Sequence, residues 1–576
     1  MQTTPPNAQA AATLAKDTSA GTAPRPGLIV VLFALASALF GISLCINAGQ
    51  ANDLFWQLRT GHEIILNHAV PHSDTYSLRR FGEPWVVHEW LTFVLYWLVY
   101  QAGGFAGVWV LEASFVAAIS ILLFALVYRE TERAPLTALA LTTLIQMVAG
   151  VFYQPRPQLA TYLFTIVVVG ACLSARRASP KRIYLVLPVF ILWANLHAGV
   201  LIGVGLLGAF AVCDFIEARW RTTLDTTDRA LRSNSWPHFA AAAAVGMALT
   251  LVTPYSWHVY QNFGATISNT TMLNSVGEWL SPSFHEGFGK LLETFLFILL
   301  GAVCASRKQK SLAEIVLYVG LGHEALLSSR NVPLLAFIAG PLIASHVQDA
   351  VRRLIGQGND PEFWNSDSLF ARRLPLIPAV AVIAALGCIA AARASAVMKR
   401  VDSIQSQGLE HVARVCYAVA SFPEGAVRFV KSHTFPQDLR MYNIYGDGGF
   451  LIWSLPEHKV FIDGRADVYF GKSLEEVTKM KELPYKWPSM LDRYGVNIII
   501  SDANESQSRL FLNSPQWAAV YLDRATLDEK DTPLDNSIVL LRKNAFSNDF
   551  ITKCRKDCPA FQDARLSEYS DYEALH

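Results

Sequence analysis

Asp53 lies in the stretch "INAGQANDLFWQLRTGHEIIL", a few residues beyond a long apolar run. A carboxylate at bilayer depth costs about 2.5–3.5 kcal/mol on insertion scales, so an acid at such an edge is either a solvated loop residue or part of a site. Other residues of chemical interest follow at comparable edges. His88 and Glu89 open "HEWLTFVLYWLVYQAGG", Arg156 stands in "YQPRPQ", and Asn195 and His197 in "WANLHAG". His258 lies in "PYSWHVY", Glu278 in "GEWLSP", and Arg330 with Asn331 in "SSRN". A half-shielded carboxylate can take a proton from a hydroxyl nucleophile, and arginines at the same level can hold a phosphate. Imidazoles with carboxylates also suit a divalent cation such as Mg or Mn, although no spacing here is diagnostic of a metal centre.

Each of these residues has a plainer reading. Asn52 or Asp53 is a good helix N-cap by type. Arg59 and Glu63 are placed as an i,i+4 helix pair. Arg156 and Arg330 could be snorkelling anchors, and His197 a turn donor. Asp463, Arg465 and Asp467, in "FIDGRADVY" after a probable strand, fit either a solvated loop with a structural ion pair or a loop touching an acceptor, with Tyr442, Asn443 and "YGDGG" as the adjoining lip.

The elements that must position these residues are largely membrane spans. Of 576 residues, 52% are hydrophobic and only 16% charged, and the mean hydropathy is +0.28. This is a polytopic membrane protein by composition. About eleven runs approach spanning length, near 28–48, 106–128, 134–152, 157–174, 182–196, 199–219, 237–253, 289–305, 311–324, 331–347 and 374–396. Residues 1–26 read as a disordered cytoplasmic tail, 27–397 as the membrane domain, and 398–576 as a soluble α/β domain. With the amino terminus inside, the basic clusters at 128–134, 174–182, 217–232, 306–310 and 352–373 all fall on the cytoplasmic side. That holds only if 88–104 lies in the interface rather than crossing. The loop 49–105 then carries two interfacial helices, and every candidate residue shares the outer face with the carboxy-terminal domain.

In that domain the expected strands are 440–445, 450–455, 459–463, 496–501, 517–523 and 537–543, with helices at 412–432 and 473–483. No G-x-G-x-x-G or P-loop occurs, and a net charge of +1 gives no sign of a nucleic acid partner. Cys554 and Cys558 in "CRKDC" are spaced so that a disulfide is permitted but not required.

The order of first span, acid, interfacial helix with His-x-x-Pro, Pro-Trp, second interfacial helix ending in Gly-Gly and second span resembles the first outer loop of GT-C type glycosyltransferases. The words "DLFWQLRTG", "HEWL", "RPQ", "NLHAG", "EWLSP", "SSRN" and "FIDGRADVY" are similar to those of a bacterial branch placed near that superfamily. The resemblance implies a mainly α membrane bundle and transfer of a sugar from a polyprenyl-phosphate carrier to a glycan, lipid or protein acceptor at the outer face of the inner membrane. It implies Asp53, His88 and Glu89 as catalytic residues. Arg59, Arg156, Asn195, His197, His258, Glu278, Arg330, Asn331, Asp463 and Arg465 become the expected substrate contacts. The family usually carries paired acids where this chain has Asn52-Asp53, which favours a base acting alone. A transporter or flippase, a glycan ligase or polymerase, and a non-catalytic assembly protein are the competing classes. A site of the proposed kind requires Asp53, His88 or Glu89, and Arg156 or Arg330 to converge within about 10–12 Å.

Overall fold

The computed structural model describes residues 27–46, 51–221, 226–268, 277–354, 408–417, 421–436, 438–465, 467–469, 486–503, 505–522 and 537–558, with isolated residues between them. Seven described helices are long and apolar enough to cross a membrane: Leu28–Cys45, Trp90–Glu130, Pro135–Phe152, Gln158–Arg177, Val200–Trp220, Gly287–Ala305 and Ser329–Leu354. The expected count of eleven is therefore not met among the described residues, and length and polarity explain most of the shortfall. Leu187–Leu196 has 10 residues, about 15 Å of helix against a hydrocarbon core of roughly 30 Å. Leu312–Leu327 has 16. Thr226–Leu249 has 24, but opens on the polar run "TTDRALRSNSWPH". The expected span at 374–396 and the helix at 473–483 lie largely outside the described residues.

The stretch after His88-Glu89 is helical from Trp90 to Glu130 but breaks at Gly103 and Gly104, where Gly104 takes φ +59°. An L side chain is strained in that left-handed region, so the Gly-Gly pair is what allows the change of direction. The carboxylate of Glu410 accepts the Ala106 N–H at 2.8 Å, capping the restarted helix from a distant part of the chain. The expected division into a first helix and a separate span at this point is what the backbone shows.

The carboxy-terminal region builds a four-stranded sheet in the order β1-β2-β4-β3, from Met441–Asn443, Ile498–Asp502, Trp517–Leu522 and Ser537–Arg542. β1 and β2 are parallel, while β4 pairs antiparallel with both β2 and β3. Two expected strands are corrected. The run 450–455 lies mostly in a helix, Gly448–Ser454, because a short apolar run fits either state and this one packs against the Asn52–Asn67 helix. The segment 459–463 makes only isolated bridges, Lys459 to Arg440 and Val460 to Ser77. Cys554 and Cys558 are free thiols.

Two hydrophobic cores form. One fills the helical bundle. The other unites the first loop with the carboxy-terminal region: Leu54, Phe55, Trp56, Trp85, Phe93 and Phe105 are buried together with Phe422, Phe450, Ile499 and Leu540. Phe55 meets Phe105, Phe422 and Phe450 edge-on, with centroids 5.8, 4.8 and 5.1 Å away. The backbone continues the union, since Leu78 N–H donates to Val460 O at 2.8 Å and Val460 N–H to Tyr76 O at 3.0 Å. The loop and the carboxy-terminal region thus fold as one body.

Candidate active site

Asp53 is the second residue of the Asn52–Asn67 helix. The cap position belongs to Ala51, with no side-chain cap, so the helix-cap reading does not describe Asp53. One carboxylate oxygen, Oδ1, instead accepts the Trp56 indole N–H at 3.1 Å, and Oδ2 lies 3.7 Å from Arg156 Nη2. Arg156 sits between Pro155 and Pro157 in the turn joining two spans, and its other terminal nitrogen pairs with Glu278 Oε1. Glu278 comes from the short helix Gly277–Trp279, tied to the Ser329–Asn331 turn by Ser328 Oγ donating to Glu278 O at 3.2 Å. That turn presents Arg330, whose guanidinium lies 4.8 Å from the centre of the Trp279 ring.

Glu89 is held between two histidines, with Oε1 3.5 Å from His88 Nε2 and 3.3 Å from His197 Nε2. The His197 tautomer follows from its other nitrogen. Trp193 Nε1–H donates to Thr161 Oγ1 at 2.8 Å, which turns the threonine hydroxyl proton toward His197 Nδ1 at 2.7 Å. Gly199 N–H donates to the same nitrogen at 2.9 Å. A nitrogen facing two donors carries the lone pair, so the ring proton sits on Nε2 and points at Glu89. His88 differs: Nδ1 faces Val86 O at 3.3 Å and Nε2 lies 3.5 Å from Glu89 Oε1, so both nitrogens meet acceptors, an environment that favours the imidazolium form.

The electrostatics agree with this geometry. Burial alone would depress His88, but the charge and hydrogen bond of Glu89, helped by Asp467, raise it to about 9. Burial depresses His197 to about 4, with Arg330 and His88 adding to the effect against Glu89. Burial works to raise Glu89, yet His88, His197 and Arg330 together bring it below the ordinary carboxylate range. Asp53 moves the other way, raised by burial and by Glu278 and Glu89 more than Arg156 and Trp56 lower it. A carboxylate so raised is a stronger base than an ordinary one.

The structure thus brings Asp53, Arg156 and Glu278 into contact, with Arg330 on the neighbouring Trp279, and joins His88, Glu89 and His197 in a second group. The two groups act on each other electrostatically, Glu89 on Asp53 and Arg330 on Glu89, and several other residues are reassigned. Asn195 accepts from Trp90 Nε1 and donates to Ile191 O and Val252 O, each at 2.8 Å, so its amide is committed to holding Trp90 rather than a substrate. Arg59 pairs with Glu63 at 2.8 Å, well down the helix from Asp53. Asn331 donates to Glu324 O at 3.3 Å. His258 is exposed, its Nδ1 3.1 Å from Tyr255 O, and has no contact with either group among the described residues.

Asp463 and Arg465 do not form a lip. They are fully buried, Arg465 gripping Asp463 through Nε at 2.8 Å and Nη2 at 2.7 Å and reaching Asp74 Oδ1 at 2.8 Å through Nη1. Tyr469 donates to Asp463 at 2.9 Å, and the guanidinium lies between Tyr76 and Trp85, 4.9 and 4.5 Å from the ring centres. Tyr442 and Asn443 are likewise buried in the sheet. The ion pair of the plainer reading holds, but it is fully buried and not part of a solvated loop.

Sequence reasoning missed Asp74, Thr161 and Trp193, and it read Tyr445, Gly464 and Asp467 only as parts of the "YGDGG" lip and the "FIDGRADVY" loop. It also missed Glu112, a buried carboxyl that accepts from Tyr417 at 3.0 Å. No local spacing signals Asp74, which meets an arginine 391 positions away. As for a divalent cation, both histidines direct Nε2 at the same Glu89 oxygen, the position a carboxylate rather than a metal ion holds here. Among the described residues no three His, Cys, Asp or Glu side chains form a cation site. The imidazole nitrogens and the Glu89 carboxylate are engaged with one another.

No family model matches the chain, and no curated protein sequence matches it. Among solved structures it is similar to the Archaeoglobus fulgidus oligosaccharyltransferase tethered with an acceptor peptide containing the NVT sequon. That match has 12% identity, covers 82% of this chain and 69% of the other, and has a TM-score of 0.46. It is also similar to ArnT from Cupriavidus metallidurans bound to undecaprenyl phosphate, with 15% identity, 89% and 98% coverage and a TM-score of 0.42.

Proposed function

We propose that this protein is an integral membrane glycosyltransferase that moves a sugar from a polyprenyl-phosphate carrier to an acceptor hydroxyl at the outer face of the inner membrane. The observation that carries the reading is the partly open set of Asp53, Arg156 and Glu278 at the ends of two spans, with Arg330 beside it. The acceptor proton passes to Asp53 as the acceptor oxygen bonds to the sugar's anomeric carbon. The bond from that carbon to the carrier phosphate breaks, and its electrons leave on the phosphate as one additional negative charge. A single displacement of this kind inverts the anomeric carbon.

The geometry refines the division of labour between the two arginines. Arg156 is occupied by two carboxylates, so it orients Asp53 and favours its ionised form. Arg330 has no ion pair among the described residues and is the cation that receives the developing phosphate charge. Glu89, supported by His88 and His197, supplies a fixed negative charge near enough to act on both Asp53 and Arg330. The test is a comparison of lipid extracts from cells with and without the gene. Loss of the gene is expected to accumulate a polyprenyl-phosphate sugar, and wild-type protein, but not correctly inserted Asp53→Asn, to clear it. No accumulation, or full clearance by Asp53→Asn, would sink the proposal.

A further inference from the structure

The buried ion-pair network ends one residue from the candidate base. Gly464 lies between Asp463 and Arg465, and a Cβ added there would overlap Asp53 Oδ1. On its other side the same peptide is held by Tyr445, whose hydroxyl donates to Gly464 O at 3.3 Å. Oδ1 of Asp53 is therefore enclosed by Gly464 and the Trp56 N–H, which leaves Oδ2 as the oxygen turned toward Arg156. Gly464 has no freedom to withdraw while its neighbours are locked. Asp463 and Arg465 grip each other, Arg465 reaches Asp74, and the Asp74 carboxylate accepts the backbone N–H groups of Tyr76 at 3.1 Å and Ser77 at 3.2 Å.

We infer that Arg465 is a positioning residue: by pinning the 461–465 segment to the Asp74 turn it presses Gly464 onto Asp53, making the carboxy-terminal region one wall of the site. The catalytic meaning of that wall rests on the assignment of Asp53 as the base, whereas the wall itself is a matter of access and can be tested without any transfer assay. A lock that served stability alone would change the melting behaviour of the protein and leave access to position 53 as it was.

The experiment uses the full chain in lipid nanodiscs, with the exposed Cys304 and Cys388 replaced by serine and Asp53→Cys as reporter. The quantity measured is the labelling rate of that thiol by a small charged methanethiosulfonate. With the lock intact, labelling is expected to be slow. Asp74→Asn or Arg465→Met should speed it about tenfold by local opening, and Arg465→Lys, which keeps the charge without the fork, should fall between. Native Cys554, fully buried in the carboxy-terminal region, should stay unlabelled throughout and so separates loop release from unfolding. If Arg465→Met labels Cys554 as well, the decision passes to Asp74→Asn and to Gly464→Ala, whose methyl must displace the loop with the lock chemistry intact. Unchanged labelling of position 53 in those variants, with Cys554 protected, would overturn the inference. In chains that retain Asp53, Arg465→Lys is expected to lower kcat more than it changes KM. Labelling that responds as expected in a protein showing no sugar transfer would leave the wall standing and remove the glycosyltransferase reading.

Discussion

Arg465 and Arg156 each bridge two carboxylates, and they differ in almost everything else. Arg465, between Asp463 and Asp74, has a side chain 0% exposed, makes charge-assisted bonds of 2.7–2.8 Å and is enclosed by two aromatic rings. Arg156, between Asp53 and Glu278, is 24% exposed, its partners are 26% and 32% exposed, and the Asp53 contact is long at 3.7 Å. The first set is saturated and sealed, which is what a structural device requires. The second leaves an oxygen of Asp53 and much of Glu278 open to an incoming molecule. Similar residue types thus acquire different jobs through burial alone, and loss of each should be felt in a different quantity.

The sharpest separation is expected at the two centres themselves. Asp53→Asn should lower sugar transfer by about 10²–10⁴-fold, the range for loss of a general base, while the unfolding midpoint in detergent stays near wild type. The reverse pattern belongs to the lock. Arg465→Met leaves two carboxylates buried without a cation and is expected to cost about 3–5 kcal/mol, read as a lowered midpoint in chemical denaturation followed by tryptophan fluorescence. Replacing Asp74, Asp463 and Arg465 together by apolar residues should recover only part of that loss, because the Tyr76 and Ser77 N–H groups and the Tyr469 hydroxyl would be left buried without acceptors. If instead Asp53→Asn destabilises the protein as severely as Arg465→Met, the distinction between an open and a sealed set is wrong.

This division was only half visible in the sequence. Seven of the expected spans were legible because long apolar runs are a one-dimensional signal, and a division near residue 104 was legible because the apolar part of 88–104 is too short to span. Asp53, Arg156 and Arg330 stood out as charges at span ends, where desolvation makes them costly. The lock was hidden, since Asp74 and Arg465 are joined only by tertiary structure and "FIDGRADVY" admits a lip as readily as a buried pair. Asn195 misled for a related reason: its type suits ligand binding, and only the partner supplied by Trp90 shows that it is already occupied, whereas the Arg59–Glu63 pair was readable from its i,i+4 spacing. The helix at Gly448–Ser454 was misread as a strand because seven residues are too few for periodicity to decide.

A smaller effect tests the contrast between the two arginines within the open set. Arg330 rests on the Trp279 face without a carboxylate partner among the described residues, so Arg330→Gln removes a cation and strands no buried acid. One charge-assisted bond to a phosphate is worth about 1.5–3 kcal/mol, so the variant should lose roughly 10- to 100-fold in kcat/KM for the lipid donor. Its midpoint of unfolding should move little. Arg156→Gln, by contrast, is expected to alter the acidic limb of the pH–rate profile. Without the guanidinium, burial and the nearby acids raise Asp53 further, and activity should begin to fall at a higher pH than in wild type. Coincident acidic limbs in the two proteins would show that Arg156 does not govern Asp53.

The mildest expected effect lies at His88, where the open set borders on the locked one through Asp467. The folded ring is raised from 6.5 to about 9 because Glu89, aided by Asp467, outweighs burial. A basic group whose folded value is raised contributes stability that is fully present below its unfolded value and disappears as pH rises through the folded one. The stability difference between wild type and His88→Gln should therefore be constant below about pH 6.5, shrink between 6.5 and 9, and vanish above that. Glu89 bounds the opposite side. Its value is lowered from 4.5, so its contribution is present above 4.5 and declines as pH falls below it. Melting curves of both proteins from pH 5 to 10 read the alkaline boundary directly. A difference that stays constant across that range would mean that His88 is neutral in the fold. Glu89 would then draw its low value from His197 and Arg330 alone, leaving only arginines as the fixed cations of the open set.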